Sequence, residues 1–431
     1  MQHPYACKSR DHLLSRRQIL GGFSGVAAAG AVGGFSSFLS PARADEVKRQ
    51  RKQVIFIWLD GGISQLESWD PKPNTTFGGP FRAIPTSVPD IHVSELLPNT
   101  AKQMHHLSLV RGMHTKDENH SSGVARIERG DPKNRGVAYP YLGSAVAKFL
   151  GPGDSKLPPY LWIKPYGGGF KYDHAGFLGP QYGALALGDG KPPEDLLRNP
   201  EISAEVDAAR NELRKKANER FARERRHDEN DANSCAYDMA AQLMVRSDLF
   251  DVASVKERDV ERYGRHELGR HLLQARRMIE AGVTFVQVTS FHWDTHGDNF
   301  NLHNCLVPQF DKPFAALIED LAERKMLDNV LVVAMSEFGR TPRINGHVGR
   351  DHWPEAWSVA MAGCGLAKGA VVGKTNDKGT WVTDAEYDVG HLFHTWFKAI
   401  GIDTSKVEYD NHGQPLPVAN EDCYPIKELL T

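Results

Sequence analysis

One short stretch near the beginning of the chain constrains the fold more than any other feature. Val54 to Leu59 is an unbroken apolar run, and it ends abruptly at Asp60-Gly61-Gly62. Such a run is typical of a strand covered on both faces, as in a parallel sheet, and these sheets bind ligands beyond the carboxyl ends of their strands. The run therefore predicts an α/β fold with Asp60 at the edge where ligands bind.

The later part of the chain shows the same pattern again. Thr284 to Thr289 reads as a strand and leads to Trp293-Asp294-Thr295-His296-Gly297, and Asn329 to Ala334 reads as a strand that Glu337 follows in a turn. Because the carboxyl ends of parallel strands meet at one edge of a sheet, we expect these polar side chains to share that edge with Asp60. We call this edge the rim.

A shared set of carboxylates and imidazoles predicts a metal site. Oxygen and imidazole ligands together suit zinc, manganese or iron, whereas a mostly carboxylate set suits calcium or magnesium. We expect one or two divalent metal ions (Zn, Mn, Ca or Mg), and the predicted ligands are Asp60, Asp294, His296, Glu337 and His352. The alternative for Asp294 and His296 is a solvated turn. His352 precedes the strand-like run Trp357 to Ala362, so it reaches the rim only if that strand runs opposite to the others or its loop folds over.

The turn from Asn119 to Gly123 is the predicted nucleophile region, since it offers hydroxyls and an imidazole at the start of a helix that runs to Gly130. The alternative for Ser121 is a helix N-cap. Arg340 is predicted to clamp a phosphate or sulfate oxygen through paired hydrogen bonds, and its alternative is a surface salt bridge. The predicted catalytic residues are therefore Ser121, His120 and Arg340.

Residues 1–44 have the order of a twin-arginine signal peptide. The pair Arg16-Arg17 precedes the moderately apolar segment Gly21 to Leu39, and Ala42-Arg43-Ala44 matches an A-x-A cleavage site. An uncleaved membrane anchor is the alternative. We expect export by the twin-arginine route to the periplasm or cell envelope, with no stable membrane insertion after cleavage and one domain over residues 45–431.

Composition excludes some partners and leaves others open. The formal net charge of −2 gives no long-range attraction to nucleic acid or to an anionic membrane, so we expect neither as a partner. Cys235, Cys305, Cys364 and Cys423 form no C-x-x-C pair, so a thiolate zinc site is not indicated, while up to two disulfides are possible in an exported chain. The oligomeric state is left open.

The remaining pattern alternates between helix and strand. Helical spacing and charge dominate from about residue 200 to 282, and Leu306 to Arg324 and Asp388 to Gly401 also read as helices. Such alternation predicts helices packed on a largely parallel sheet. The expected fold is a three-layer α/β/α sandwich.

Several motifs together resemble the bacterial exported family called domain of unknown function 1501, which is similar to the alkaline phosphatase and sulfatase superfamily. The motifs are Asp60-Gly61-Gly62, Asn119-His120-Ser121, Trp293 to Asn299, Ser336 to Pro342 and Gly349 to Pro354. By this resemblance the fold is alkaline-phosphatase-like, Asp60, Asp294, His296, Glu337 and His352 take the metal-ligand positions, and the His120/Ser121 turn takes the nucleophile position.

The chain also departs from the superfamily pattern. It contains no C-x-P-S-R motif, which sulfatases convert to formylglycine. Counting back ten residues from the helix-closing Gly130 puts the superfamily's nucleophile position at His120, with Ser121 adjacent. Phe338 stands where phosphatases have His and sulfatases have Asn, which predicts that one of two metal sites is weakened or lost.

The sequence therefore predicts an exported, metal-dependent hydrolase of phosphate or sulfate esters whose substrate is a small molecule or a glycan. The alternative is a non-catalytic exported member of the fold that acts as a binding or assembly protein, which Phe338 and the displaced serine favour.

Overall fold

The structure, a computed structural model, describes residues 52–152, 157–191, 201–222, 228–250 and 255–430. The predicted signal peptide lies outside the described residues. Most of the described chain is organised around one nine-stranded sheet, which small two-stranded ribbons and helices accompany. Within the described residues, no helix is both long enough and apolar enough to cross a membrane.

The strands, in chain order, are β1 (Gln53–Leu59), β2 (Ala83–Pro85), β3 (His92–Ser94), β4 (Leu107–Met113), β5 (Tyr160–Ile163), β6 (Gly169–Lys171), β7 (Ala184–Leu187), β8 (Phe285–Ser290), β9 (Val330–Met335), β10 (Gly339–Arg340), β11 (His352–Trp353), β12 (Trp357–Ala362), β13 (Ala370–Val372), β14 (Lys374–Thr375), β15 (Val382–Asp384), β16 (Glu408–Asn411) and β17 (Gln414–Pro417). The helices are α1 (Pro98–Lys102), α2 (His120–Arg129), α3 (Leu142–Leu150), α4 (Ala204–Ala222), α5 (Asp228–Val245), α6 (Glu257–Tyr263), α7 (Glu267–Glu280), α8 (Asn299–Glu323) and α9 (Val389–Ala399).

The sheet order is β13-β4-β12-β9-β1-β8-β5-β7-β6, and the sheet is mostly parallel. Strand β1 pairs in parallel with both β8 and β9, while β12 runs antiparallel to β9 and to β4. The carboxyl ends of β1, β8 and β9 therefore lie at the same edge as the amino end of β12. This edge is the rim, and the reversed direction of β12 brings His352 to it, as the sequence reading required.

Alternate residues of β1 face two different layers of helices, which makes the fold a three-layer sandwich. Ile55 and Ile57 belong to the core cluster that includes apolar residues of α7 and α8. The ring of Phe56 points to the other face, where it contacts Trp396 of α9 at a centroid distance of 6.1 Å. Burial on both faces explains why β1 reads as a continuous apolar run.

The elements that carry the motifs agree with the sequence prediction within a few residues. The predicted strands correspond to β1, β8, β9 and β12, and Gly130 closes α2 in the left-handed conformation with a φ of 76°. Helix α8 begins earlier than predicted, at Asn299, and contains Pro308 and Pro313. The segment predicted as helical contains α4 to α7, and within the described residues Cys305, Cys364 and Cys423 form no disulfide.

Candidate functional site

The rim brings together side chains from five segments of the chain. Asp60 follows β1, Asp294 and His296 lie in the loop after β8, and Glu337 follows β9. His352 is the first residue of β11, just before β12, and His120 is the first residue of α2.

Helix α2 presents His120 to the rim because its start is fixed by a cap. The Oδ1 atom of Asn119 accepts hydrogen bonds from the Ser121 backbone N–H at 2.9 Å and from the Ser121 Oγ at 3.0 Å. This is the arrangement expected of an asparagine N-cap, which satisfies a backbone donor that the helix leaves free. The cap therefore binds the Ser121 hydroxyl and leaves the His120 ring directed at the rim.

Three histidines at the rim share one hydrogen-bonding pattern. The Nδ1 atom of each lies near an oxygen acceptor: Glu337 Oε1 at 2.7 Å from His120, Asp351 Oδ1 at 2.7 Å from His296, and the Glu118 carbonyl at 2.6 Å from His352. Because carboxylate and carbonyl oxygens only accept, each Nδ1 carries the proton. The lone pair of each neutral ring is then on Nε2.

The three Nε2 atoms converge on the carboxylate of Asp294. His296 Nε2 lies 3.0 Å from Asp294 Oδ1 and 3.0 Å from His352 Nε2. His352 Nε2 lies 3.2 Å from Asp294 Oδ1, and His120 Nε2 lies 3.4 Å from Asp294 Oδ2. We call these residues, His120, Asp294, His296 and His352, the open cluster, because their side chains are partly exposed to solvent.

The open cluster fits a divalent metal ion. Ligand atoms around a tetrahedral ion with bonds of about 2.0 to 2.1 Å are separated by roughly 3.3 Å, close to the spacings of 3.0 to 3.4 Å observed between these atoms. Metal-binding histidines typically donate their second ring N–H to a carboxylate or a carbonyl, which is the pattern of all three rings. The donors His120, Asp294 and His352 lie within 4.8 Å of one another.

The electrostatics of the cluster keep Asp294 charged. Its partial burial raises the pKa, but the hydrogen bond and positive charge of Arg340 outweigh that effect and lower the pKa below its ordinary value. Burial also lowers the pKa of His352, which favours the neutral ring that can bind a cation. The cluster therefore offers one anionic oxygen ligand, Asp294, and a His352 ring that favours the neutral form.

Glu337 links the open cluster to Asp60. Its Oε1 accepts from the Gly61 backbone N–H at 3.1 Å and from His120, whereas its Oε2 has no hydrogen-bond partner within the described chain. Burial raises the pKa of Glu337, and its hydrogen bond raises the pKa of His120. Asp60 itself accepts from Trp58 Nε1 at 3.0 Å. Glu337 thus contacts the cluster through His120, and it is joined to the Asp60 turn through the Gly61 N–H.

Phe338 occupies the space next to Glu337. Its fully buried ring stacks on His352 at a centroid distance of 4.4 Å and contacts His120 at 5.0 Å. A phenyl ring has no ligand atom, so the polar groups at this position are the carboxylates of Asp60 and Glu337.

Two of the predicted catalytic residues, Arg340 and Ser121, make hydrogen bonds to other groups of the protein. Arg340 is fully buried, and its guanidinium donates to the carbonyls of Gly61, Gly62 and Arg350 and to Asp294 Oδ1 at 2.5 Å. It therefore holds Asp294 in place and does not face solvent. Ser121 is exposed, and its hydroxyl is directed to the Asn119 cap.

A second polar group lies directly behind the open cluster. Arg350 and Glu67 form a fully buried ion pair at 2.7 Å, and Arg350 also donates to the Phe77 carbonyl at 2.9 Å. His303 is buried too, accepting from the Ser64 N–H and donating to the Asn299 carbonyl. We call Glu67, His303, Arg340 and Arg350 the buried network. It fixes the loop that leads to His352.

Sequence reasoning missed several residues that shape the site. Asp351 and Glu118 orient two of the histidines, and both stand next to residues or motifs that the sequence singled out. Glu67 belongs to no recognisable motif, and nothing in the sequence shows that a single acid in a loop is buried. Adjacent polar residues in a metal motif, such as Asp351 beside His352, could have been read as orienting groups.

Comparison with solved structures finds distant similarity. The chain is similar to the PsFucS1 sulfatase from Pseudoalteromonas sp. at 13% identity, with 84% of this chain and 72% of that chain covered and a TM-score of 0.36. It is similar to an alkaline phosphatase from the Antarctic bacterium TAB5 at 13% identity, with 81% of this chain and 98% of that chain covered and a TM-score of 0.36. It is similar to the lipoteichoic acid synthase LtaP from Listeria monocytogenes at 8% identity, with 85% of this chain and 79% of that chain covered and a TM-score of 0.37. These similarities are too distant to assign a reaction.

Comparison by sequence is more direct. No curated protein matches the chain. One family profile, described as "Protein of unknown function (DUF1501)", matches residues 51–430, which include every residue of the open cluster and of the buried network. The match covers most of the 431 residues, and the chain belongs to this family.

Proposed function

We propose that the protein is an exported, metal-dependent hydrolase of phosphate or sulfate esters. The observation that carries the proposal is the shared orientation of three histidines, whose Nδ1 atoms are held by oxygen acceptors while their Nε2 atoms converge on Asp294. Holding three rings in this way reduces their contact with water and their conformational freedom. A bound cation requires this orientation of its histidine ligands. The partial exposure of the cluster leaves it accessible to a substrate.

The ligands in the proposal are His296, His352 and Asp294, and His120 stands beside them with a different role. A divalent cation held there would act as a Lewis acid that polarises an ester oxygen and neutralises negative charge as it develops. Arg340 keeps Asp294 ionised and oriented. The first turn of α2 adds backbone N–H groups at the positive end of a helix, which favour an anionic substrate group.

His120 is the residue of the nucleophile turn that faces the cluster. Glu337 accepts a hydrogen bond from the Nδ1–H group and raises the pKa of the ring, which makes Nε2 a better proton acceptor. In this proposal His120 takes a proton from the attacking water. Ser121 is the alternative nucleophile, although side chains at adjacent helix positions do not face each other. Its predicted role is decided by a single substitution.

The test combines metal analysis with turnover. Residues 45–431 are purified without chelator, loaded with Zn²⁺, Mn²⁺, Ca²⁺ or Mg²⁺, and screened with aryl and sugar esters of phosphate and sulfate. We expect His120→Ala to reduce kcat by about 100-fold or more, since general bases contribute that much. Ser121→Ala should stay within a few-fold of wild type; loss of turnover in that variant would assign the nucleophile to Ser121.

The alternative function, a non-catalytic binding or assembly protein, is supported by Phe338, which replaces a ligand with a buried ring. It predicts metal binding without turnover of any ester in the screen. Phe338→His offers a sharper discrimination, because a hydrolase with a weakened second site should bind additional metal and gain activity.

Export is also a proposal. Replacing Arg16 and Arg17 by Lys should keep the protein in the cytoplasm, and the mature protein should begin at Asp45. Normal export of the double variant would exclude twin-arginine dependence, and another mature N-terminus would exclude the cleavage site.

A further inference from the structure

The rim continues past Asp60 into a surface of aromatic and cationic side chains. The segment that follows β5 reads Lys164-Pro165-Tyr166-Gly167-Gly168-Gly169-Phe170-Lys171-Tyr172, with two lysines, three aromatic residues and no acid. Tyr166 is the most exposed of the large hydrophobic side chains within the described residues, at 84% of its full exposure. An exposed aromatic ring loses stabilisation unless something covers it.

Strand registers place this surface beside the candidate site. Leu59 pairs with Ser290, so Asp60 stands at the level of Phe291, and the Asp60 N–H donates to the Ser290 carbonyl at 2.8 Å. Ile163 pairs with Val288, and the chain turns directly after β5, where the Gly167 N–H donates to the Lys164 carbonyl at 3.3 Å. The Tyr166 ring in this turn contacts Phe291, which lies three residues before Asp294, so the turn lies beside the candidate site.

We call the aromatic pair Tyr166 and Phe291 the ledge. The rings of Tyr166 and Phe291 are 6.0 Å apart at their centroids and tilted by 53°, so they meet at an angle and leave the exposed face of Tyr166 open. Lys164 extends over the Trp162 ring at 4.4 Å, which fixes its ammonium group at the same end of β5.

Two residues at this place have a positive φ. Tyr166 has a φ of 62° and His292 a φ of 79°, values that bulky non-glycine residues rarely adopt. The Gly167 N–H donates to the Lys164 carbonyl at 3.3 Å, so Tyr166 is the third residue of a four-residue turn, a position that takes a positive φ in type II turns. The turn therefore accounts for the conformation of Tyr166.

We propose that Tyr166, Phe291 and Lys164 form a subsite for the sugar part of an anionic glycan ester. This proposal deepens the proposed function and rests on it for the reaction, though not for binding. The open face of Tyr166 packs against the C–H face of a pyranose ring, which suits the negative face of an aromatic system. Lys164 pairs with a phosphate or sulfate group of the same glycan.

The observations favour a saccharide over nucleic acid. A single aromatic face with a tilted neighbour suits a non-aromatic sugar ring, whereas single strands bind along a run of stacking rings in a positively charged groove. The segment supplies two lysines, Lys164 and Lys171, and the formal net charge of the chain is −2. Two cations do not provide the run of phosphate contacts on which nucleic-acid binding depends.

The experiment measures binding without catalysis. Metal-free protein, residues 45–431, is applied to a glycan array that carries sulfated, phosphorylated and uncharged oligosaccharides, with hexathymidylate as an added probe. The strongest binder is then titrated by calorimetry. We expect an anionic oligosaccharide to bind. Tyr166→Ala should raise its Kd about ten-fold, as for a central aromatic contact, and Tyr166→Phe should keep it within two-fold.

Matched controls separate the ledge from general effects. Tyr424→Ala removes another exposed tyrosine, at 57% exposure, and should leave the Kd unchanged. Lys164→Met should weaken binding of the anionic oligosaccharide and have little effect on its uncharged counterpart. Absence of any array signal, preference for hexathymidylate, or equal affinity of wild type and Tyr166→Ala would each overturn the subsite.

Failure of the subsite can be told from failure of the proposed function. His352→Ala should lose turnover and keep glycan affinity. If the wild type binds glycan through Tyr166 and hydrolyses no ester, the subsite stands and the hydrolase proposal fails. If aryl esters are hydrolysed and Tyr166→Ala behaves as wild type on every glycan, the hydrolase stands and the subsite is wrong.

Discussion

The open cluster and the buried network use the same kinds of side chain in opposite ways. In the buried network, Arg350 and Glu67 are fully buried, and their charges are neutralised by each other and by backbone carbonyls. In the open cluster, three imidazoles turn the same ring atom towards one carboxylate, that of Asp294, and remain partly exposed. The network is complete without a ligand, whereas the cluster gathers donors that a cation would complete.

His303 and His352 show the difference in a single residue type. Both nitrogens of His303 are engaged by the backbone, at 3.2 Å to the Ser64 N–H and 3.0 Å to the Asn299 carbonyl. His352 has only Nδ1 fixed by the backbone, and its Nε2 faces other donors in the cluster. An imidazole held at both nitrogens supports structure, and one held at Nδ1 alone is available for chemistry.

The largest expected effect comes from breaking the buried network. Arg350→Ala leaves the Glu67 charge buried without its partner, which should lower the free energy of unfolding by about 3 to 5 kcal/mol. Urea unfolding measures the change. Arg82→Ala, which removes an arginine from an exposed pair with Glu95, is the control and should cost at most about 1 kcal/mol. Equal losses in both variants would show that the buried pair has no special role.

The next effect concerns pH. Burial lowers the pKa of His303 to about 4 from an ordinary value of 6.5. The unfolded chain therefore binds a proton between these values that the folded chain does not, so stability is present above pH 6.5 and falls as the pH drops towards 4. The shift corresponds to about 3 kcal/mol.

Substitution isolates that contribution. His303→Gln cannot titrate and should flatten the dependence of the unfolding free energy on pH between 6.5 and 4. His92→Gln, at an exposed histidine, should leave the dependence as in wild type. If wild type and His303→Gln lose stability in parallel over this range, His303 is not the buried neutral group that the structure describes.

A smaller effect is expected at the open cluster itself. Metal at 100 times its Kd should stabilise the wild-type protein by about 2.7 kcal/mol through binding to the folded state alone. His352→Ala should abolish this gain and change the metal-free protein by only about 1 kcal/mol, since the side chain is partly exposed. Thermal unfolding with and without metal measures both quantities. A large loss in the metal-free variant would place His352 among the structural histidines.

The smallest effect is predicted at the start of α2. Asn119→Ala removes the cap that positions His120 and should cost about 1 kcal/mol. Ser121→Ala, its matched control, removes only an exposed hydroxyl and should stay within about 0.5 kcal/mol of wild type. Asn119→Ala should also lower kcat more than Ser121→Ala does; identical kcat values would mean that the cap does not position His120.

Strand ends were the most predictable part of this molecule. The apolar run to Leu59 and the runs before Asp294 and Glu337 have enough length and contrast to be read as parallel strands, and parallel strands bring their carboxyl ends together. The short strand Tyr160–Ile163 gives no such signal, because a few apolar residues do not distinguish a strand from a buried turn. The sequence therefore gives no prediction for the surface beyond it, which carries Tyr166.

Contacts between distant segments were less predictable. Nothing local to Arg340 shows that it is buried behind Asp294, because its acceptors are the Gly61 and Gly62 carbonyls on another strand end. The contact of His120 with Glu337 likewise depends on where α2 packs. The roles of these residues follow from tertiary placement, which spacing along the chain does not encode.

The central claim is that the open cluster is a metal centre, and metal binding measured on the purified mature chain tests it most directly. Residues 45–431 and the variant His296→Ala/His352→Ala are dialysed with each of Zn²⁺, Mn²⁺, Ca²⁺ and Mg²⁺, and bound metal is determined by mass spectrometry with X-ray absorption of the first shell. The account predicts close to one metal ion per wild-type chain, with imidazole nitrogens among its ligands, and little in the variant. Equal metal content in both proteins, or none in the wild type with any of the four ions, would contradict it.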